Sequence, residues 1–211
     1  MNDHYVINLG RQLGSGGKEI GEKLAKALNI AFFDKELIKL ASDESGLCKE
    51  FFEKADERAQ QTMLGGLFGG RFPFISDGTL PYGSFLNNDS LFKIQSDVIR
   101  SLAENQSCLF VGRCADYILR ERTDTINLFF TADTKDRVRR ITSRTGCTTE
   151  EAEAKIEAMD RQRARYYNYY TSRTWGEAAS YDLTINTSRL GEEGTVDLVI
   201  DFINKRMKIN D

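Results

Sequence analysis

Apolar residues fall into two kinds of run that alternate along the chain. Short, nearly continuous runs predict strands covered on both faces, at Tyr5–Leu9, Ala31–Phe33, Cys108–Val111, Ile126–Thr131 and Asp182–Asn186. Runs with three- and four-residue spacing predict helices. Gly17–Leu28 has Ile20, Leu24, Ala27 and Leu28 in register, and Asp89–Asn105 has Leu91, Ile94, Val98, Ile99 and Leu102. Lys35–Ser42, Ala115–Arg122, Thr134–Arg144, Thr149–Tyr169 and Glu193–Met207 complete the helical set, the last with Val196, Val199, Ile200 and Ile203 as its stripe. Strands separated by helices build βαβ units, so the pattern predicts an α/β fold on a mostly parallel sheet. A length of 211 residues suits one domain with an insert.

The alternation breaks between about residues 56 and 88. Gly65, Gly66, Gly69, Gly70, Pro73, Gly78, Pro81 and Gly83 are interleaved there with Leu64, Leu67, Phe68, Phe72, Phe74 and Phe85. A long segment of this kind reads as a flap over a substrate, a flexible insert, or an apolar oligomer contact.

Candidate chemistry starts where the first strand meets the first helix. Gly14-Ser15-Gly16-Gly17-Lys18 is a glycine turn with a lysine at a helix start. Such a turn lets main-chain amides converge on phosphate, and the helix N-terminus adds partial positive charge. Two registers on the motif G-x-x-x-x-G-K-[ST] are open. In one, Gly17-Lys18 is the G-K pair, Gln12 takes the first glycine place and Glu19 the hydroxyl place. In the other, Gly17 stands where the lysine belongs and Lys18 follows one place late. Ser15 is the remaining hydroxyl for a metal. Gly14, Ser15, Gly16, Gly17, Lys18 and Glu19 are the candidate nucleotide-binding residues.

Ligands of a parallel sheet bind beyond the carboxyl ends of its strands. Asp34, Gly112-Arg113 and Thr131-Ala132-Asp133 fall there. Further along, Arg137, Arg140 and Arg144 share one helix face, and Arg161 and Arg165 another. Guanidinium forks suit phosphate oxygens, so the two helices read as a lid over a nucleotide, about residues 134–173. The plain alternative is a pair of surface helices with local ion pairs, Glu157 lying four residues before Arg161 and Asp160 five before Arg165. Tyr166, Tyr167, Tyr169 and Tyr170 follow, fit for packing or for stacking on a base. Trp175 is expected to anchor the return to the last strand.

Composition narrows the picture. A net charge of −3 argues against a nucleic-acid partner. No apolar stretch approaches the ~20 residues of a membrane span. The first strand begins a few residues after Met1, so no leader is expected, and Cys48, Cys108, Cys114 and Cys147 lack metal-ligand spacing. A cytoplasmic protein with reduced thiols is expected. His4, the single histidine, makes histidine base chemistry and histidine-bound zinc improbable.

Taken together, the glycine turn, Phe33-Asp34-Lys35-Glu36, Val111-Gly112-Arg113-Cys114-Ala115-Asp116, Asp160-Arg161-Gln162-Arg163-Ala164-Arg165 and Asn186-Thr187-Ser188 resemble the cytidylate kinase-like group of P-loop kinases. The resemblance implies a three-layer P-loop kinase fold with a five-stranded parallel sheet, a helical lid and an acceptor-side insert in one domain. It implies phosphoryl transfer from ATP, with Mg²⁺, to a small acceptor such as a nucleoside monophosphate, and leaves oligomerisation open. Lys18, Arg137, Arg140, Arg161 and Arg165 would be catalytic; Asp34, Arg113 and Arg163 would bind the acceptor; Ser15 would serve the metal. Three positions depart from the group's pattern: Glu19 for a hydroxyl residue, Cys114 for the aspartate after Gly-Arg, and Gln162 for an aspartate. A nucleotide-binding regulatory protein without turnover is the second expectation, and an interaction module on the same fold the third.

Overall fold

The computed structural model describes residues 4–34 and 88–210. The chain forms two compact units, one of residues 1–34 and 102–211, the other of residues 35–101. The expected helix at Lys35–Ser42 and the glycine-rich insert lie outside the described residues.

The first unit is built on five strands: β1 (Val6–Arg11), β2 (Ala31–Phe33), β3 (Cys108–Val111), β4 (Thr125–Thr131) and β5 (Leu183–Asn186). Their order is β2-β3-β1-β4-β5, and every pairing is parallel. The helices among the described residues are α1 (Gly17–Leu28), α2 (Asn88–Asn105), α3 (Ala115–Ile118), α4 (Thr134–Thr145), α5 (Thr149–Thr171) and α6 (Thr187–Asn210). None is long and apolar enough to cross a membrane.

One sheet face explains the period-two half of the strand pattern. Ile7 and Leu9, Leu109 and Val111, Ile126, Leu128 and Phe130, and Ile185 form a single core with Ile20 and Leu24 of α1 and Val196, Val199 and Ile203 of α6. The other face takes the alternate residues, where Phe33 of β2 stacks on its register partner Phe110 at 5.4 Å. Burial on both faces is why the strands read as continuous apolar runs.

Several boundaries depart from the pattern, three of them instructively. β1 continues two residues past Leu9, because Gly10 and Arg11 still pair with Phe129 and Phe130 of β4. α3 ends at Ile118 rather than Arg122, and Arg122 turns to bond Asp124 instead. α6 starts at Thr187 and breaks at Gly191, whose φ of 69° and ψ of −175° are not helical. α5 opens with a reciprocal cap: Glu151 N–H donates to Thr148 Oγ1, and Thr148 N–H donates to Glu151 Oε2. Trp175 meets Phe129 of β4 edge-on at 5.2 Å, the expected anchor.

Candidate active site

The β1–α1 loop is shaped by two glycines. Gly14 and Gly16 both have φ of 77°, and Gly16 caps α1 with no side-chain partner for the helix amides. The first intrahelical bond runs from Ile20 N–H to the Gly16 carbonyl. The amides of Gly16, Gly17, Lys18 and Glu19 therefore have no partner within the helix.

The carbonyls of residues 11–15 are all engaged, four of them by side chains from outside the loop. Arg163 donates to the Arg11 carbonyl (2.8 Å), Ser15 Oγ to that of Gln12 (2.9 Å), and Arg137 Nε to that of Leu13 (2.7 Å). Arg140 donates to the Gly14 carbonyl (3.0 Å) and Thr187 Oγ1 to that of Ser15 (2.7 Å). With the acceptors claimed and the helix-start amides open, the turn presents donors, as an anion cup must.

A clamp holds this shape. Leu13 packs against the apolar cluster of Val138, Ile141, Ala152 and Ile156 between α4 and α5. Its N–H donates to Asp160 Oδ1 at 2.8 Å, while its carbonyl takes Arg137. Arg137 and Asp160 close the triangle with a direct ion pair, their side chains only 8% and 16% exposed. Gly14 sits so close to α4 that a Cβ there would lie 2.8 Å from the Arg137 carbonyl oxygen.

Strand ends supply the charged wall. Arg11 Nη2 lies 3.5 Å from Asp34 Oδ1, and Lys18 Nζ lies 3.5 Å from Asp34 Oδ2. Past β3, Gly112, Arg113 and Cys114 have φ of 74°, 60° and 58°. Two non-glycine residues in the left-handed region cost about 1–3 kcal/mol each, a strain that clusters at binding sites. Burial, then the charge of Arg163, pulls the Arg11 pKa down to about 9; Asp34 opposes the shift and Arg113 adds to it. Arg11 stays protonated at neutral pH. Burial lowers Arg163 too, against the pull of Asp160 and Asp34.

The expected residues divide. Gly14, Gly16, Gly17, Asp34 and Arg163 come together around the loop. Ser15 is fully buried and its hydroxyl proton is spent on Gln12. Glu19 turns outward to Arg144 at 3.5 Å, leaving the cup open. Lys18 is 46% exposed and also pairs with Glu22. Arg137 and Arg140 grip the loop's carbonyls. Arg161 is paired with Glu157 on the surface, and Arg165 is exposed. Sequence patterning passed over Arg11 and Leu13, and set Asp160 beside Arg165 instead of Arg137. The signal for Arg11 was its place directly before the loop.

Beside the strained turn, Tyr167 donates to Asp116 Oδ2 at 2.6 Å. Burial raises the Asp116 carboxyl above its ordinary range, against the Tyr167 bond and the Arg173 charge. Burial likewise pushes the Cys108 thiol up to about 12 and the Cys114 thiol higher still, as expected of inert core thiols. A carboxyl with a raised folded pKa binds more protons in the fold than unfolded, so stability falls as pH rises between the two values. Asp116→Asn keeps an acceptor for Tyr167 and removes that loss. Its melting temperature is expected to exceed the parent's at about pH 7, and the gap to close near pH ~4. Thermal melts across that range read both.

A parallel sheet ordered β2-β3-β1-β4-β5, with a glycine-rich loop between β1 and α1, defines a P-loop kinase fold. The cytidylate kinase-like family model matches residues 6–189, and the chain belongs to that family. A cytidylate kinase of Halobacterium salinarum is 28% identical over 116 residues, which span 53% of this chain and 60% of that relative. Among solved structures, an uncharacterized protein from Eubacterium ventriosum is 25% identical with a TM-score of 0.70, covering 95% of this chain and 99% of that one. Shikimate kinase from Bacteroides thetaiotaomicron has the same fold at 15% identity, with a TM-score of 0.55 and 95% and 98% coverage.

Proposed function

We propose that the protein transfers the γ-phosphoryl group of ATP to a small acceptor, a nucleoside monophosphate of the cytidylate type first among them. The observation that carries this reading is the loop whose carbonyls are all engaged by side chains while the amides of residues 16–19 are left for an anion. Family membership and the curated cytidylate kinase relative point the same way.

In this reading the amides of Gly16, Gly17, Lys18 and Glu19 hold the donor's phosphates. Arg137, Arg140 and Asp160 position the loop. Arg113, Arg163 and Asp34 line the acceptor side, and Arg161 and Arg165 are left to close from the helix pair. Mg²⁺, which the family implies, would ride on the nucleotide's phosphates and neutralise part of their charge. No group of three histidine, cysteine or acidic side chains among the described residues would hold it alone. A monophosphate acceptor arrives already ionised, so no protein base is needed to activate it. That suits a site whose carboxylate, Asp34, is paired with two cations. Catalysis is then positioning and charge stabilisation.

A coupled ADP-release assay over nucleoside monophosphates and small alcohols tests the proposal. Stimulation by a cytidine monophosphate is the expected result; none by any acceptor, from folded protein with Mg²⁺, overturns it. A nucleotide-binding regulatory protein is the second reading, favoured by the exposure of Lys18. ATP affinity without ADP release would support it.

A further inference from the structure

In the P-loop motif the lysine directly follows the last loop glycine and reaches the β- and γ-phosphates. Here the last loop residue is Gly16, the left-handed cap of α1, so the residue in that place is Gly17. No side chain fits there. A Cβ on Gly17 would lie 2.8 Å from Arg11 Cβ and 3.2 Å from Arg11 Cγ. The space is filled by an arginine that enters from the strand instead of the helix.

The course of that arginine is clear. Its stem lies against Gly17, and its guanidinium passes over Gly112 so closely that a Cβ there would be 2.3 Å from Nη1. It ends 3.5 Å from Asp34. Its own carbonyl is held by Arg163. Arg11 is 21% exposed against 46% for Lys18, whose amine is shared between Asp34 and the half-exposed Glu22. A cation buried beside other guanidinium groups is costly to the fold unless an anion joins it.

We propose that Arg11 supplies the phosphoryl-binding cation that the motif ordinarily takes from a helix lysine, and that Lys18 stays on the rim. The residue exchanges a point charge on α1 for a planar fork at the end of β1. A fork bonds phosphate oxygens in pairs and keeps its charge when buried. Standing between the loop and Asp34, it would contact the group in transfer from the side facing the acceptor.

The turnover arm of the test rests on the kinase reading; the binding arm does not. In the first, ADP release is compared for the parent, Arg11→Met, Arg11→Lys and Lys18→Ala. Arg11→Met is expected to lose about 10³-fold, as for other transition-state arginines, and Lys18→Ala no more than about ten-fold. Arg11→Lys regains part of the loss. The melting temperature of Arg11→Met should change little, since repulsion from Arg163 and Arg113 is lost together with the Asp34 pairing, and Lys18 still faces that carboxylate. A fall would mark Arg11 as a structural prop and count against the proposal. The double variant Arg11→Gly with Gly17→Lys should recover turnover that Arg11→Gly lacks. Gly17→Lys alone should not help, because the Arg11 stem blocks it.

In the second arm, calorimetry measures tripolyphosphate affinity. At least ten-fold weakening by Arg11→Met, and less by Lys18→Ala, is expected. Equal affinity in Arg11→Met and the parent, or no affinity in the parent, overturns the proposal. A parent without turnover that shows the expected binding pattern tells against the kinase reading and supports Arg11 as the phosphate contact.

Discussion

Asp160→Ala is expected to destabilise the fold by about 3–5 kcal/mol, the usual result of leaving one half of a buried ion pair alone. Arg137 is 8% exposed, and with Asp160 gone its guanidinium keeps only the Leu13 carbonyl among the bonds described above. The Leu13 amide loses its acceptor at the same time. On a total stability of roughly 5–15 kcal/mol, this is a large fraction. Denaturant unfolding reads the loss. Removing both charges, as Arg137→Leu with Asp160→Leu, should cost less than the two single changes summed, because no lone charge remains. Full additivity would mean the pair is uncoupled and the clamp is not what steadies the loop.

Gly14→Ala should cut nucleotide affinity by roughly a hundred-fold, about 3 kcal/mol. Two costs meet at this position. A φ of 77° strains any residue with a Cβ by roughly 1–2 kcal/mol. The added carbon would also stand 2.8 Å and 3.0 Å from backbone atoms of Arg137, which cannot swing aside as a side chain tip can. The loop must move, and its amides with it. Gly146→Ala is the control. It has φ of 70° but nothing within 4 Å of the new carbon, so it should carry the strain alone and leave ATP affinity as it was. Equal losses of affinity in the two variants would disprove the packing argument.

Much of the fold was legible because parallel strands covered on both faces and helices with one apolar stripe leave different periods in a sequence. The limits of legibility are equally physical. Hydrophobicity ends at Leu9, so the last two residues of β1 were invisible: Gly10 and Arg11 are held by pairing to β4, which carries no apolar mark. Arg11 was thereby passed over, although its neighbour Gly17 already broke the lysine motif. The Arg161–Glu157 pair was readable as a local four-residue spacing. The partner of Asp160 was not: local spacing suggested Arg165, while the structure joins Asp160 to Arg137 on another helix. Arg137 and Arg140 were rightly placed on one helix face, but their targets are carbonyls more than a hundred residues away in the chain. Spacing shows which residues share a face, and only packing shows what that face meets.

If the protein works as proposed, the main-chain amides at the start of α1 receive phosphate. The most direct measurement is a titration of isotope-labelled protein with ATP, following backbone amide resonances by NMR. The amides of Gly16, Gly17, Lys18 and Glu19 should shift most, saturating together with one affinity. Saturable ATP binding that leaves those four resonances unmoved would show that the nucleotide's phosphates lie elsewhere.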